Sequence, residues 1–235
     1  MAVIRPSKVL TGLLLGGAAL GAAVAGYAVF LRPRHLRWGA TDDEVKDTLP
    51  GDEIAPAARV TCTHAITIHA PVDQVWPWIA QIGQDRAGFY SYAWLENMVG
   101  AEITNADHVV PEFQDREIGD TVWMAPKHRY GGQARMLVAS LEKGAHMVLV
   151  MPDDFERLVR GERATGCWSF VLRAVDDTTT RLLVRGRGTA DTFAKKAFDA
   201  AVFEPAHFIM ERKMMTSIRS LAEKSFAKSR DLVIS

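Results

Sequence analysis

Three hydrophobic patterns follow one another along the chain. Residues 9–31 are apolar and uncharged. As a helix they would span roughly 34 Å, enough for a hydrocarbon layer of about 30 Å. Between 60 and 188 the apolar residues come in short runs. Cys62, His64, Ile66 and Ile68 alternate with Thr61, Thr63, Ala65 and Thr67, the period of a half-buried strand. Pro71 then opens a helical spacing through Val75, Trp76, Ile79 and Ile82 that Gly83 ends, with Pro77 expected to distort it. Residues 89–98 read as a second short helix and 101–118 as irregular. Strands are expected at 121–125, 134–141, 146–151, 165–175 and 180–188, with a charged connection over 152–164.

The third pattern runs from 191 to about 226. With Glu204 at zero and about 100° per residue, Phe203, Met210, Met214, Ile218 and Leu221 share a stripe free of charge from Phe203 onward. Lys195, Arg212, Lys213, Arg219 and Lys224 lie opposite, while Lys196 intrudes on the stripe. The order of strand, two helices, consecutive antiparallel strands and long helix predicts an α+β domain. Its curved antiparallel sheet would wrap the C-terminal helix and leave an apolar cavity between them.

The organisation expected is an anchor at 1–37, an acidic linker with a short helix at 38–58, the ligand-binding domain at 59–228 and a tail at 229–235. Arg5, Lys8 and Ala23-Val24-Ala25 also fit a cleaved signal peptide. The apolar run continues through Leu31, which favours a single-pass membrane anchor. Arg32, Arg34 and Arg37 outnumber Arg5 and Lys8, which leans the domain towards the cytoplasmic side. Gly12 with Gly16, and Gly17 with Gly21, have the spacing for close helix pairing, so a membrane interaction module is a further reading. Trp38 and Tyr27 fit a membrane interface, and Thr41-Asp42-Asp43-Glu44 fits a capping box. The cluster Asp42, Asp43, Glu44, Asp47, Asp52 and Glu53 reads as a solvated spacer.

The 235 residues carry 28 basic and 28 acidic side chains, which argues against nucleic acid as a partner. Cys62 and Cys167 are the only cysteines and fit two buried thiols better than a disulfide. Standard hydrolase, metalloprotease and nucleotide-binding signatures are missing, and no cofactor is expected. Glu204, His207 and Glu211 lie near one another on the last helix, where a histidine oriented by a carboxylate could act as general acid or base. His64 is the second such candidate. A histidine hydrogen-bonded at the edge of the core is the plainer account of each. Glu204-x-x-His207 matches half of a di-iron ligand set, but no second copy exists, so no metal site is expected.

For ligand binding the candidates are Tyr90, Tyr92 and Trp94 at a cavity mouth. Trp168, Phe170, Phe203, Met210 and Met214 would line the interior. Met136, Met147 and Met151 add to a plastic apolar surface. Arg181, Arg185 and Arg187 share a strand face, read as the solvated outside of the sheet.

Four stretches, ITIHAPVDQVWPWIAQIG, GFYSYAWLENMVG, IGDTVWMAP and EPAHFIMERKMMTSIRSLAE, resemble the START-like helix-grip (SRPBCC) superfamily of polyketide cyclases and lipid-transfer domains. The closer resemblance is to its membrane-anchored bacterial members. It covers roughly residues 60–227. It implies a sheet wrapped round the C-terminal helix and an apolar tunnel binding a lipid or polyketide. It transfers no catalytic set, so both transfer and cyclase or dehydratase chemistry stay open.

Overall fold

A computed structural model describes residues 26–189 and 204–234. The chain divides into two compact units between Leu36 and Arg37. In the first, a π-helical turn over Tyr27–Leu31 leads into one α-helical turn, Arg32–His35. Among the described residues no helix is long and apolar enough to cross a membrane. Most of the expected anchor, residues 9–25, lies outside them.

The second unit is built on six strands: β1 (Arg59–Ile68), β2 (Thr121–Trp123), β3 (Arg135–Glu142), β4 (His146–Val150), β5 (Cys167–Asp176) and β6 (Thr179–Gly188). They form one antiparallel sheet in the order β1-β6-β5-β4-β3-β2. The helices are α1 (Asp42–Lys46), α2 (Val72–Ala80), α3 (Ala93–Met98), α4 (Pro152–Val159) and α5 (Glu204–Ile234). The α+β class, the strand succession and the terminal helix are as the pattern predicts. This is the helix-grip arrangement.

Alternation sorts each strand between two faces. Ile66, Ile68, Val138, Met147, Leu149, Phe170, Leu172, Leu182 and Val184 face one core, together with Trp76 and Ile79 of α2 and Met214, Met215 and Ile218 of α5. The opposite face of the sheet is packed as well over much of its area. Val148, Val150 and Cys167 pack on the other side with Ala55, Ala58, Phe155 and Leu158, and Ala65, Val171 and Leu183 pack there with Leu49.

That second layer corrects the spacer reading of 38–58. The capping box forms as expected, with Glu44 N–H donating to Thr41 Oγ1 at 3.1 Å and Thr41 N–H to Glu44 Oε2 at 2.8 Å. The acids that follow are spent on the sheet. Arg181 forks onto both oxygens of Glu44, Nε at 2.7 Å and Nη2 at 2.8 Å. The Arg181 guanidinium holds the Glu44 carboxyl below its ordinary value. Arg185, only 2% exposed, donates to Asp52 Oδ2, Asp47 O and Glu44 O at 2.7 Å each, and Arg187 donates to Asp52 Oδ1 at 2.8 Å. Charge in sequence predicted solvent. Pairing removes that requirement, because each buried guanidinium meets carboxylates and carbonyls. The approach is close enough to exclude side chains at two turns. A Cβ on Gly39 (φ 71°) would lie 2.1 Å from Ala65 O, and one on Gly51 (φ 103°) 2.3 Å from Ser169 Oγ.

Four further expectations change. Residues 89–91 are not helical, because Asn105 Oδ1 accepts from Phe89 N–H (3.1 Å) and Tyr90 N–H (2.7 Å) and holds Tyr90 at φ 56°. The charged connection contains α4, whose Phe155 and Leu158 pack on the second layer while Pro152 opens its first turn. Helix α5 continues to Ile234, so residues 229–234 are helix and not tail. Trp38 is drawn into the fold: its carbonyl accepts from Ala65 N–H at 3.0 Å and its ring meets Phe208.

Replacing Arg185 by Ala leaves Asp52 and three backbone carbonyls short of a buried donor. Stability measured by urea unfolding should fall by about 3–5 kcal/mol. Glu96, on α3, is buried, and its Oε2 has no hydrogen-bond partner among the described residues. Burial pushes its carboxyl from 4.5 up to about 7. The native state therefore holds that proton more tightly than the unfolded chain, and stability is lost as pH rises through this window. Glu96→Gln should raise stability at pH 8 by about 1–2 kcal/mol and leave it unchanged at pH 4, read from urea midpoints.

Candidate functional site

The middle of β1 and the first turns of α5 bring the histidine candidates together. The alternation of β1 turns Cys62 and His64 towards α5, and His64 is 1% exposed. Opposite it is Glu211, 3% exposed. Their Nδ1 and Oε1 lie 2.5 Å apart. The indole Nε1 of Trp168, from β5, donates to the other oxygen, Oε2, at 2.9 Å. His207 sits one turn earlier on α5 with Nε2 3.4 Å from the same Oε2, and its side chain is 32% exposed. One carboxylate is thus held between a buried imidazole and an imidazole at the edge of the fold.

Burial works to push the Glu211 carboxyl up. The charge of His207, the hydrogen bond and charge of His64 and the Trp168 indole outweigh it and hold the carboxyl below its ordinary value. An ionised carboxylate only accepts, so His64 carries its proton on Nδ1 towards Glu211. Burial, then the charge of Glu211, push the Cys62 thiol far above its usual range. Nothing here prepares that thiol as a nucleophile. The arrangement can orient an imidazole, stabilise positive charge on it, and pass a proton between the interior and the edge at His207.

An aromatic wall surrounds the carboxylate. Trp168 packs on Phe170 (ring centroids 4.6 Å), stacks with Phe89 (6.4 Å) and meets the His207 ring edge-on at 6.0 Å. Phe208 contacts His64 at 5.5 Å. Trp168 stands opposite Gly186 in the ladder. A Cβ on Gly186 would come within 2.6 Å of Thr61 Oγ1 and 3.2 Å of Cys62 Sγ, so the cluster needs a glycine there.

The carboxylate that meets both histidines is Glu211, and Glu204 stands at the start of α5, three residues before His207. Trp168 and Met210 are half-buried beside the cluster, Phe170 and Met214 are buried, and Phe203 lies outside the described residues. The expected mouth divides. Tyr90 is a core residue whose hydroxyl accepts from Gln81 Nε2 at 2.7 Å, whereas Trp94 is 65% exposed and Tyr92 lies at the surface beside it. Arg181, Arg185 and Arg187 are committed to the outer layer.

Glu211 carried a signal in the sequence. Met214, Met215 and Ile218 follow it at the spacing of one helix face, and all three are buried. The buried face of α5, which also takes Ala222, is therefore turned about 60° from the stripe drawn through Met210 and Leu221, towards Glu211. A charged residue was excluded from the apolar stripe, and the burial of a paired carboxylate overturned that.

No protein-family model and no curated protein matches this chain. Solved structures are similar to it at low identity. A polyketide-cyclase-like protein from Corynebacterium glutamicum is 13% identical over 74% of this chain and 92% of its own, with a TM-score of 0.30. The self-sacrificing resistance protein CalC from Micromonospora echinospora is 12% identical over 71% and 94%, with a TM-score of 0.37. The Aha1 dimer from Colwellia psychrerythraea gives 14%, 64%, 91% and 0.34 for the same quantities. Likeness at this level carries no argument about function, and the fold assignment rests on the strand order and helix packing described above.

Glu211→Ala would leave His64 buried without its acceptor and should destabilise the protein by about 3–5 kcal/mol. Glu211→Gln, which keeps an acceptor, should cost clearly less in the same urea experiment.

Proposed function

We propose that the domain binds a hydrophobic small molecule of the lipid or polyketide class between the inner face of the sheet and the first turns of α5. In this reading residues 9–31 hold the chain at a membrane. The observation that supports it is a polar pair set in an aromatic wall at an edge of the cluster where His207 and Trp168 are partly open. The apolar body of a ligand would gain about 25 cal/mol for each Å² removed from water, less the cost of ordering it. Its polar end would meet His207 and Glu211, which already hold a fixed charge geometry. The support for membrane attachment is the sequence of residues 9–31 alone.

A second reading is favoured by the 2.5 Å contact between His64 and Glu211. The same edge would serve an acid–base enzyme of cyclase or dehydratase type, in which His207 exchanges a proton with an enclosed substrate and Glu211 stabilises the imidazolium.

Organic extraction of the purified compact unit, residues 37–235, followed by mass spectrometry, should yield an apolar compound. Quenching of Trp168 fluorescence by that compound should saturate. Trp168→Ala should weaken its binding by about tenfold or more. A protein that repeatedly yields no compound, or binding indifferent to Trp168, would end the first reading. If the compound is turned over, His207→Ala should reduce turnover far more than it weakens affinity. Equal loss of both would assign His207 to packing.

A further inference from the structure

Cys62 belongs to neither reading above, yet it stands in the same cluster. One donor atom from each of Cys62, His64 and Glu211 lies within 4.8 Å of the other two, and all three residues are buried. We propose that these side chains form a transition-metal site that takes Zn(II), with the fourth position facing His207. This is independent of whether the domain binds an apolar ligand.

Cys62 and His64 are two residues apart on a strand, so the pleat delivers thiol and imidazole to the same side without any special turn. Helix α5 supplies the carboxylate from across the interface, and His207, one turn before it, reaches the far oxygen at 3.4 Å. A thiolate, an imidazole and a carboxylate are a mixed donor set of the kind zinc accepts, whereas calcium and magnesium require oxygen throughout. Charge favours the ion as well. A thiolate and a carboxylate together neutralise a dication, so the filled site would be neutral in a region that tolerates little net charge.

The surroundings are those of a supported site. Trp168 Nε1 fixes one oxygen of Glu211 at 2.9 Å, the orienting hydrogen bond that metal-binding carboxylates commonly have. Gly186 leaves the space beside Cys62 Sγ that any side chain would crowd, since a Cβ there would stand 3.2 Å from the sulfur. Across the 2.5 Å contact between His64 and Glu211 lies the proton that His64 carries on Nδ1. A tetrahedral ion with bonds of about 2.0–2.2 Å would replace that proton and spread the two groups by less than about 1 Å. The partly exposed His207 side offers a way in.

The test is a titration of the full-length protein, stripped with a chelator, using Co(II) alone as the spectroscopic stand-in for Zn(II). Wild type should develop the visible bands of tetrahedral cobalt and a thiolate-to-cobalt charge-transfer band, saturating at one ion per chain. Cys62→Ser should abolish the charge-transfer band and weaken Zn(II) binding, measured by competition, by about tenfold or more. Cys167→Ser should change neither, because that thiol faces the outer layer near Gly51 and Ser169. Absence of the charge-transfer band from wild type, its survival in Cys62→Ser or its loss in Cys167→Ser would each overturn the proposal. If Glu211→Gln folds by circular dichroism, it should also lose about tenfold in Zn(II) affinity, and unchanged affinity would remove Glu211 from the ligand set. The Cys62→Ser comparison stands alone if it does not fold.

Discussion

A charged carboxylate in the middle of a helix–sheet interface is the constraint on which this structure turns. Water has been removed from Glu211, so every lone pair facing the protein must be answered by a donor at a fixed place. His64 answers from β1, Trp168 from β5 and His207 from the same helix. The two positions on the sheet leave α5 little freedom to roll or slide. The helix therefore presents Glu211 and Met215 to the sheet along with Met214 and Ile218, a face turned from the stripe centred between Met210 and Ile218. Hydrophobic burial supplies the attraction between layers, and the carboxylate selects among the rotations that would satisfy it. Gly186 serves the same cluster, since Thr61 and Cys62 occupy the space a side chain would take.

Charge plays a different part on the far side of the sheet. There Glu44, Asp47 and Asp52 meet Arg173, Arg181, Arg185 and Arg187. The acids come from a segment of little regular structure, and the cations share one sheet face, Arg181, Arg185 and Arg187 from β6 and Arg173 from β5. A strand that displays arginines on one face usually displays them to solvent. Here a strap lies over them, and Leu49 packs with Ala65, Val171 and Leu183 beneath it. The zero net charge of the chain is in part the consequence of pairing within one fold.

Much of the architecture was legible in sequence because it rests on period. Alternation in β1, β5 and β6 and the helical spacing of α2 and α5 are local properties, and they survive folding. What was not legible is what depends on partners distant in the chain. The acids of the strap and the arginines of β6 each looked solvated when taken alone, and only their meeting changes the cost of burying them. Residues 89–91 read as part of the helix that follows them, but Asn105 takes the N–H groups of Phe89 and Tyr90. For the site, His64 and His207 were found from their place on apolar faces. Glu211 is legible as one of three neighbouring polar residues on the last helix, with Glu204 and His207, and Cys62 only as a buried thiol, because their meeting with His64 depends on β1 and α5 coming together.

The pairing of the first strand with the last has a temporal meaning. β1 is at one edge of the sheet and hydrogen-bonds within it to β6 alone, about 120 residues later. The strap before β1 waits for the same partner, since Arg181, Arg185 and Arg187 all come from β6. On a ribosome, residues 38–68 emerge well before β6 and find their place only after it has been made. Until then β1 is a lone apolar segment beside an unmatched run of acids. That negative run would keep a growing chain soluble and discourage its exposed strand from pairing with a neighbour.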